Sequence, residues 1–109
     1  MLLVLTTPAD PETKKKVSED LAGYVKVVVD VSRGILAAGG LRHVEGEQTL
    51  LSQGSKQEDL WGGGIDMETG EIDFDSMINI RPSQDNPSRE VLDINIRARV
   101  EQIIRKLLP

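Results

Sequence analysis

The sequence predicts an α+β fold: a single layer of mainly antiparallel sheet, built from two β-hairpins and packed by two to three helices, in the order β/coil–α–β–β–α–β–β–α. Three observations carry this. "YVKVVVDV" (residues 24–31) alternates, with Val25, Val27, Val29 and Val31 on one face and Lys26, Val28 and Asp30 on the other, the period-two, β-branched pattern of a strand. "DLWGGGID" and "EIDFDSMINIR" flank "METG", which reads as a hairpin. Near the C-terminus, Ile96, Val100, Ile103, Ile104 and Leu107 repeat as one helical stripe. Hairpins with helices between them favour an antiparallel sheet, with the helices expected on one face.

Taken in order, the chain opens on a four-residue apolar run. It is too short for a signal peptide or a membrane span, so no membrane association is expected and the localisation read from it is cytoplasmic. In "TPADPETKKKVSEDLAG", Thr7 before Pro8 or Asp10 before Pro11 offers a side-chain cap with proline in the first turn. Val17 and Leu21 share a face, and Gly23 is a natural stop. After the valine-rich strand, "SRG" turns with Gly34 in the left-handed position, and "ILAAGG" returns. "RHVEGEQTLLSQGS" predicts a helix with Val44 and Leu51 on one face and Gly54 at its end, although Gly46 inside it costs about 1 kcal/mol relative to Ala. In the second hairpin, Ile72, Phe74, Ser76, Ile78 and Ile80 alternate with polar positions until Pro82 ends the ladder. The last helix starts at a cap on Asp93, and Arg105 and Lys106 suit its C-terminal dipole.

At 109 residues the chain reads as one domain, long enough to bury roughly 60–70% of its unfolded surface. It has no cysteine, which removes disulfides, thiolate metal sites and cysteine nucleophiles and suits a reducing compartment. A net charge of −5, with 18 acidic and 13 basic residues, opposes nucleic-acid binding. Tyr24, Trp61 and Phe74 are the only aromatics, a poor supply for base stacking.

Three places could carry chemistry. "INIRPSQDNPSR" (residues 78–89) crowds Asn79, Arg81, Gln84, Asn86 and Arg89 around two prolines. Arginine forks take carboxylate or phosphate, Asn and Gln both donate and accept, and proline stiffens the loop. The stretch is either an anion or polar-metabolite site, with Trp61 nearby, or a corner whose side chains satisfy the loop backbone. "LWGGGID" lacks the helix that a phosphate loop requires, so its glycines mark a bulge beside Trp61 or the close approach of another segment. His43 and Glu47 lie four apart on the second helix, an arrangement for acid–base work with Glu47 orienting His43. With one histidine, a catalytic zinc would need carboxylates such as Glu58 or Asp59 for its other ligands, so no metal and no cofactor is expected. "DMETGEIDFD" lacks the order of EF-hand ligands.

"VKVVVDVSRGILAAGG", "LWGGGID" and "FDSMINIRPSQDNPSRE" resemble, nearly end to end, a family of short bacterial and archaeal proteins known as domain of unknown function 5674. The resemblance places His43, Glu47, Gly54, Ser55, Trp61 and Gly62, and the run Asn79–Ile80–Arg81–Pro82, on the family's pattern. The family continues Gln-Gly-Asn-Arg-Ser, whereas this chain has Gln84–Asp85–Asn86–Pro87–Ser88–Arg89, which displaces the basic residue. The resemblance implies one compact domain and no particular reaction. The function expected is therefore a non-catalytic binding or interaction protein. Its partners would be a second copy of the chain or a small anionic or polar ligand held by Asn79, Arg81, Gln84, Asn86, Arg89 and Trp61. The alternative is a small enzyme using His43 and Glu47, with Arg81 anchoring the substrate.

Overall fold

A computed structural model describes all 109 residues. The elements are β1 (Leu3–Leu5), α1 (Pro11–Ser18), β2 (Tyr24–Asp30), β3 (Ile35–Ala38), α2 (His43–Ser52), β4 (Leu60–Asp66), β5 (Ile72–Asp73) and α3 (Ile94–Leu107), with 3-10 turns at Gln57–Asp59, Met77–Asn79 and Pro82–Gln84. Five strands form one antiparallel sheet in the order β1-β3-β2-β4-β5, and three helices pack on it, an α+β fold. No helix is long and apolar enough to cross a membrane.

Local chemistry explains the boundaries. Asp10, not Thr7, caps α1: its side chain accepts from the Thr13 N–H at 2.7 Å, with Pro11 opening the helix. Asp93 caps α3 through the N–H groups of Asn95 and Ile96. Gly34 turns the β2–β3 hairpin at φ 69°.

The expectation of helices on one face is corrected. Alternate residues of the central strands feed two separate cores. Val25, Val27, Val29, Leu36 and Ala38 pack with Val17 of α1 and with Val100, Ile103, Ile104 and Leu107 of α3. Val28, Ile35 and Ala37 pack with Leu50 of α2 and with Leu60. The sheet thus lies between α1 and α3 on one side and α2 on the other, which Val28 and the two consecutive alanines at 37–38 signal by making both faces of the central strands apolar. α2 also turns a different side inward than its apolar pattern predicts. Gly46 and Leu50 are buried, while Val44 and Leu51 are exposed. At Gly46 an added Cβ would lie 3.0 Å from Val28 Cγ2 and 3.2 Å from Ala37 Cβ, so glycine lets the helix sit close to the sheet.

The second hairpin departs furthest from its pattern. β4 pairs with β2 without interruption from Leu60↔Asp30 to Asp66↔Tyr24, so the glycines make no bulge. They admit neighbours instead: a Cβ on Gly62 would lie 2.6 Å from Ser76 Cβ, and one on Gly64 would collide with the Tyr24 hydroxyl. The return strand ends at Asp73 rather than running to Arg81. Residues 74–76 leave β4 and bond to 89–91, with Ser76 N–H donating to Arg89 O at 3.0 Å and Val91 N–H to Phe74 O at 3.1 Å. Ser76 then caps the 3-10 turn that follows, accepting from Ile78 N–H. The alternation of 72–80 is real in the sequence, but polar caps within it outcompete the ladder.

Candidate functional site

The stretch 78–89 forms a corner. Asn79 is fully buried. Its Oδ1 accepts from Gly62 N–H at 2.8 Å, and its Nδ2 donates to the carbonyls of Gly62, Arg89 and Phe74 at 2.9, 2.9 and 3.1 Å. The amide carries two hydrogens, so one is shared. In effect a side chain supplies the edge pairing that the missing strand would have given to Gly62. Asn86 repeats the device: Nδ2 reaches Asn79, Ser88 and Glu90 carbonyls, and Oδ1 accepts from Leu92 N–H at 2.9 Å. Backbone bonds between Arg81 and Asn86 close the loop, with Asp85 left-handed at φ 57°.

Arg81 is also drawn inward. Its guanidinium donates to the Gln57 carbonyl and, at 2.5 Å, to the Leu60 carbonyl, and lies 3.9 Å from the centre of the buried Trp61 ring. Burial pulls its pKa down, partly offset by Glu47, and its Nε is buried with no partner. Gln84 donates to the Glu58 carbonyl at the surface, at 3.0 Å. Of the loop's polar residues only Arg89 reaches a cleft, where it pairs with Asp75 at 2.9 Å.

That cleft, about 570 Å³, opens on the α2 side of the sheet and falls in the range of small-molecule sites. Tyr24 and Lys26 reach it from the start of β2, and Arg42, His43 and Val44 from the start of α2. Asp73, Asp75, Ser76, Met77 and Ile78 come from the chain that leaves the sheet, with Arg89 and Glu90 beyond them. The same departure from β4 that ended the hairpin therefore makes the cleft's far wall.

His43 contacts the Gly63 carbonyl through Nε2 at 2.7 Å. A carbonyl only accepts, so Nε2 carries the proton and Nδ1 presents a lone pair. Nδ1 has no protein partner and is not fully buried. Burial holds the imidazole pKa below its ordinary value, against the Gly63 bond, and Lys26 adds to the lowering while Asp73 and Asp75 oppose it. Along the opposite wall Tyr24 donates its hydroxyl to Asp73 Oδ2 at 2.5 Å, and Asp73 Oδ1 accepts from Asp75 N–H. Burial, and then the Asp73 carboxylate, push the Tyr24 pKa far up, so it stays a phenol. Asp75 pairs with Arg89, and Glu90 with Arg97, while Lys26 and Arg42 take part in none of the ion pairs. No group of three or more His, Asp or Glu side chains is placed to hold a metal ion.

The structure thus brings His43 and Arg89 into one cleft and leaves Asn79, Arg81, Gln84, Asn86 and Trp61 outside it. Glu47 makes no hydrogen bond to His43; the Gly63 carbonyl orients the ring instead. Tyr24, Lys26, Arg42, Asp73 and Asp75 were missed as site residues. One signal for them was available: Tyr24 and Lys26 are polar positions on the Val28 face of a central strand, and Lys26 lies opposite Gly64 of β4.

An α+β sheet covered on both faces, with one open polar cleft beside its second helix, is the class of molecule these features define. The chain matches the family described as "Protein of unknown function (DUF5674)" over residues 3–107 and belongs to it. No curated protein and no solved structure matches the chain.

Proposed function

We propose that this protein is a single-domain, cytoplasmic small-molecule binder whose cleft beside α2 takes a polar ligand with an anionic group. The observation that carries this is a pair of unpaired cations, Lys26 and Arg42, in one cleft with the free Nδ1 of His43. Cations without a protein partner in a concave site keep their capacity for an incoming anion, whereas Arg81 spends its fork on two backbone carbonyls. The cleft is also locally less acidic than the molecule, whose net charge is −5. Arg89 belongs to this site as the fixed partner of Asp75.

A thermal-shift panel of carboxylates and phosphate monoesters tests the reading. A ligand at a hundred times its dissociation constant stabilises the native state by about 2.7 kcal/mol. The expected result is a raised Tm in the wild type that is lost in the Lys26→Met/Arg42→Met double variant. No shift with any anion, or a shift that the double variant keeps, overturns it.

A second reading, an acid–base enzyme, is favoured by one observation: a neutral imidazole of fixed tautomer, on a residue that lines the cleft, whose basic nitrogen has no protein partner. In it Lys26 and Arg42 take over the anchoring role that the sequence assigned to Arg81. Turnover of a bound compound that His43→Gln abolishes, with binding retained, would make the protein an enzyme.

A further inference from the structure

The cleft carries charge of both signs, and the two signs are arranged differently. Its lining includes three cations, Lys26, Arg42 and Arg89, and three carboxylates, Asp73, Asp75 and Glu90. Arg89 is taken by Asp75, and Glu90 by Arg97. What remains for a ligand is Lys26 and Arg42 on the positive side and Asp73 on the negative side. Asp73 is not exhausted: a carboxylate offers about four acceptor positions, and only two are used, by the Tyr24 hydroxyl and by Asp75 N–H. His43 Nδ1 adds a further acceptor that no protein group meets.

A simple anion would satisfy Lys26 and Arg42 but would sit beside an unused carboxylate and an unused imidazole acceptor. Leaving such groups without partners when water is displaced costs free energy. A ligand with an anion at one end and a multiple donor a few ångströms away removes that cost. The cleft also has an apolar side, made by Val44, Met77 and Ile78, with Val44 41% and Met77 64% exposed. Partly open apolar side chains at the rim of a polar cleft can cover a ligand's hydrocarbon part.

We propose that the ligand is a zwitterion of the α-amino acid class with an apolar side chain. Its carboxylate lies on Lys26 and Arg42, its ammonium lies between Asp73 and His43 Nδ1, and its side chain lies against Val44, Met77 and Ile78. This rests on the reading of the cleft as an anion-binding site and narrows it. An ammonium has three donors, enough for Asp73 and Nδ1 together. A neutral His43 accepts from the ammonium, whereas a charged one would repel it.

The test is calorimetric titration of the intact wild-type chain with L-leucine, L-methionine, L-valine and L-phenylalanine. For each that binds, the deaminated carboxylate and the decarboxylated amine are titrated as well; for leucine these are 4-methylpentanoate and 3-methylbutylamine. The expected result is that the amino acid binds about tenfold or more tightly than either monofunctional analogue, the factor that a hydrogen bond to a charged group can supply. Asp73→Asn, which preserves shape and an acceptor for Tyr24, is expected to remove most of that advantage, while the deaminated carboxylate binds at least as tightly as to the wild type because a like charge has been removed. Carboxylate and amino acid binding equally, both lost in Lys26→Met, overturns the zwitterion while keeping the anion site. Failure of all four amino acids to bind at millimolar concentration also overturns it. If simple anions fail as well, the parent reading falls with it.

Discussion

Two regions of this molecule are both built from polar side chains and differ in what those groups have left to give. The corner at 79–86 holds Asn79, Arg81 and Asn86, all buried; both amides are fully bound to the chain's own backbone, and the two terminal nitrogens of Arg81 each bond a backbone carbonyl while its Nε stays buried without a partner. The cleft beside α2 holds Lys26, Arg42 and His43, which keep unpaired charges and a free ring nitrogen. Residue type cannot separate scaffold from site. Unused hydrogen-bonding capacity can, because a satisfied buried group contributes to stability while an unsatisfied accessible one remains available to a ligand.

Asn79→Ala is the sharpest way to break this contrast. It would orphan the buried N–H and C=O of Gly62 and remove the second bond to the carbonyls of Phe74 and Arg89, which keep the N–H groups of Val91 and Ser76. Each stranded buried group costs about 1–3 kcal/mol, so a loss of about 3 kcal/mol or more is expected in urea unfolding. A loss below about 1 kcal/mol would mean that the corner is adaptable and that its polar groups are not committed.

Arg81→Lys comes next. An ammonium retains the charge but not the planar fork, so it cannot serve the carbonyls of Gln57 and Leu60 and stack on Trp61 together. A destabilisation of about 2 kcal/mol is expected from the lost bonds, with the Lys26/Arg42-dependent ligand shift preserved. Loss of the ligand shift at unchanged stability would instead place Arg81 in the binding site and erase the distinction between the two regions.

The legibility of the sequence divides along the same line. β2 and α3 could be read because a single period governs each: the alternating valines 25, 27 and 29, and the stripe from Val100 to Leu107, all bury as their spacing requires. The end of the second hairpin could not. Ile72 to Ile80 alternate convincingly, but Asp73, Ser76 and Asn79 bond locally and to β4, diverting the chain after two residues of strand. Glycines 62–64 were ambiguous between a bulge and close approach until the neighbours Ser76 and Tyr24 were placed. The corner reading of 78–89 was one of two that the sequence allowed, since Asn, Gln and Arg suit both. The cleft was largely hidden, because its walls come from segments up to roughly 65 positions apart, Tyr24 to Glu90, and such pairings depend on topology rather than on local pattern.

The smallest effect concerns His43 and the dependence of stability on pH. Its native pKa lies below the ordinary histidine value of 6.5, chiefly through burial, so on acidification the unfolded chain takes up a proton before the native one does. Stability then rises with pH wherever the unfolded state holds more protons. The contribution of His43 is therefore complete above about pH 6.5, declines as pH falls, and levels off below the native pKa. His43→Gln preserves a donor for the Gly63 carbonyl and removes the titration. The wild type should lose stability more steeply than the variant between roughly pH 7 and 5, by at most about 1.4 kcal/mol per pH unit, the limit for one proton. Urea midpoints measured across that window for both proteins decide it, because the remaining carboxylates are common to both and cancel in the difference. Parallel curves would give His43 an ordinary pKa and a ring charged in mildly acidic solution. Nδ1 would then be a donor under those conditions, and the cleft would favour a plain anion over a zwitterion there.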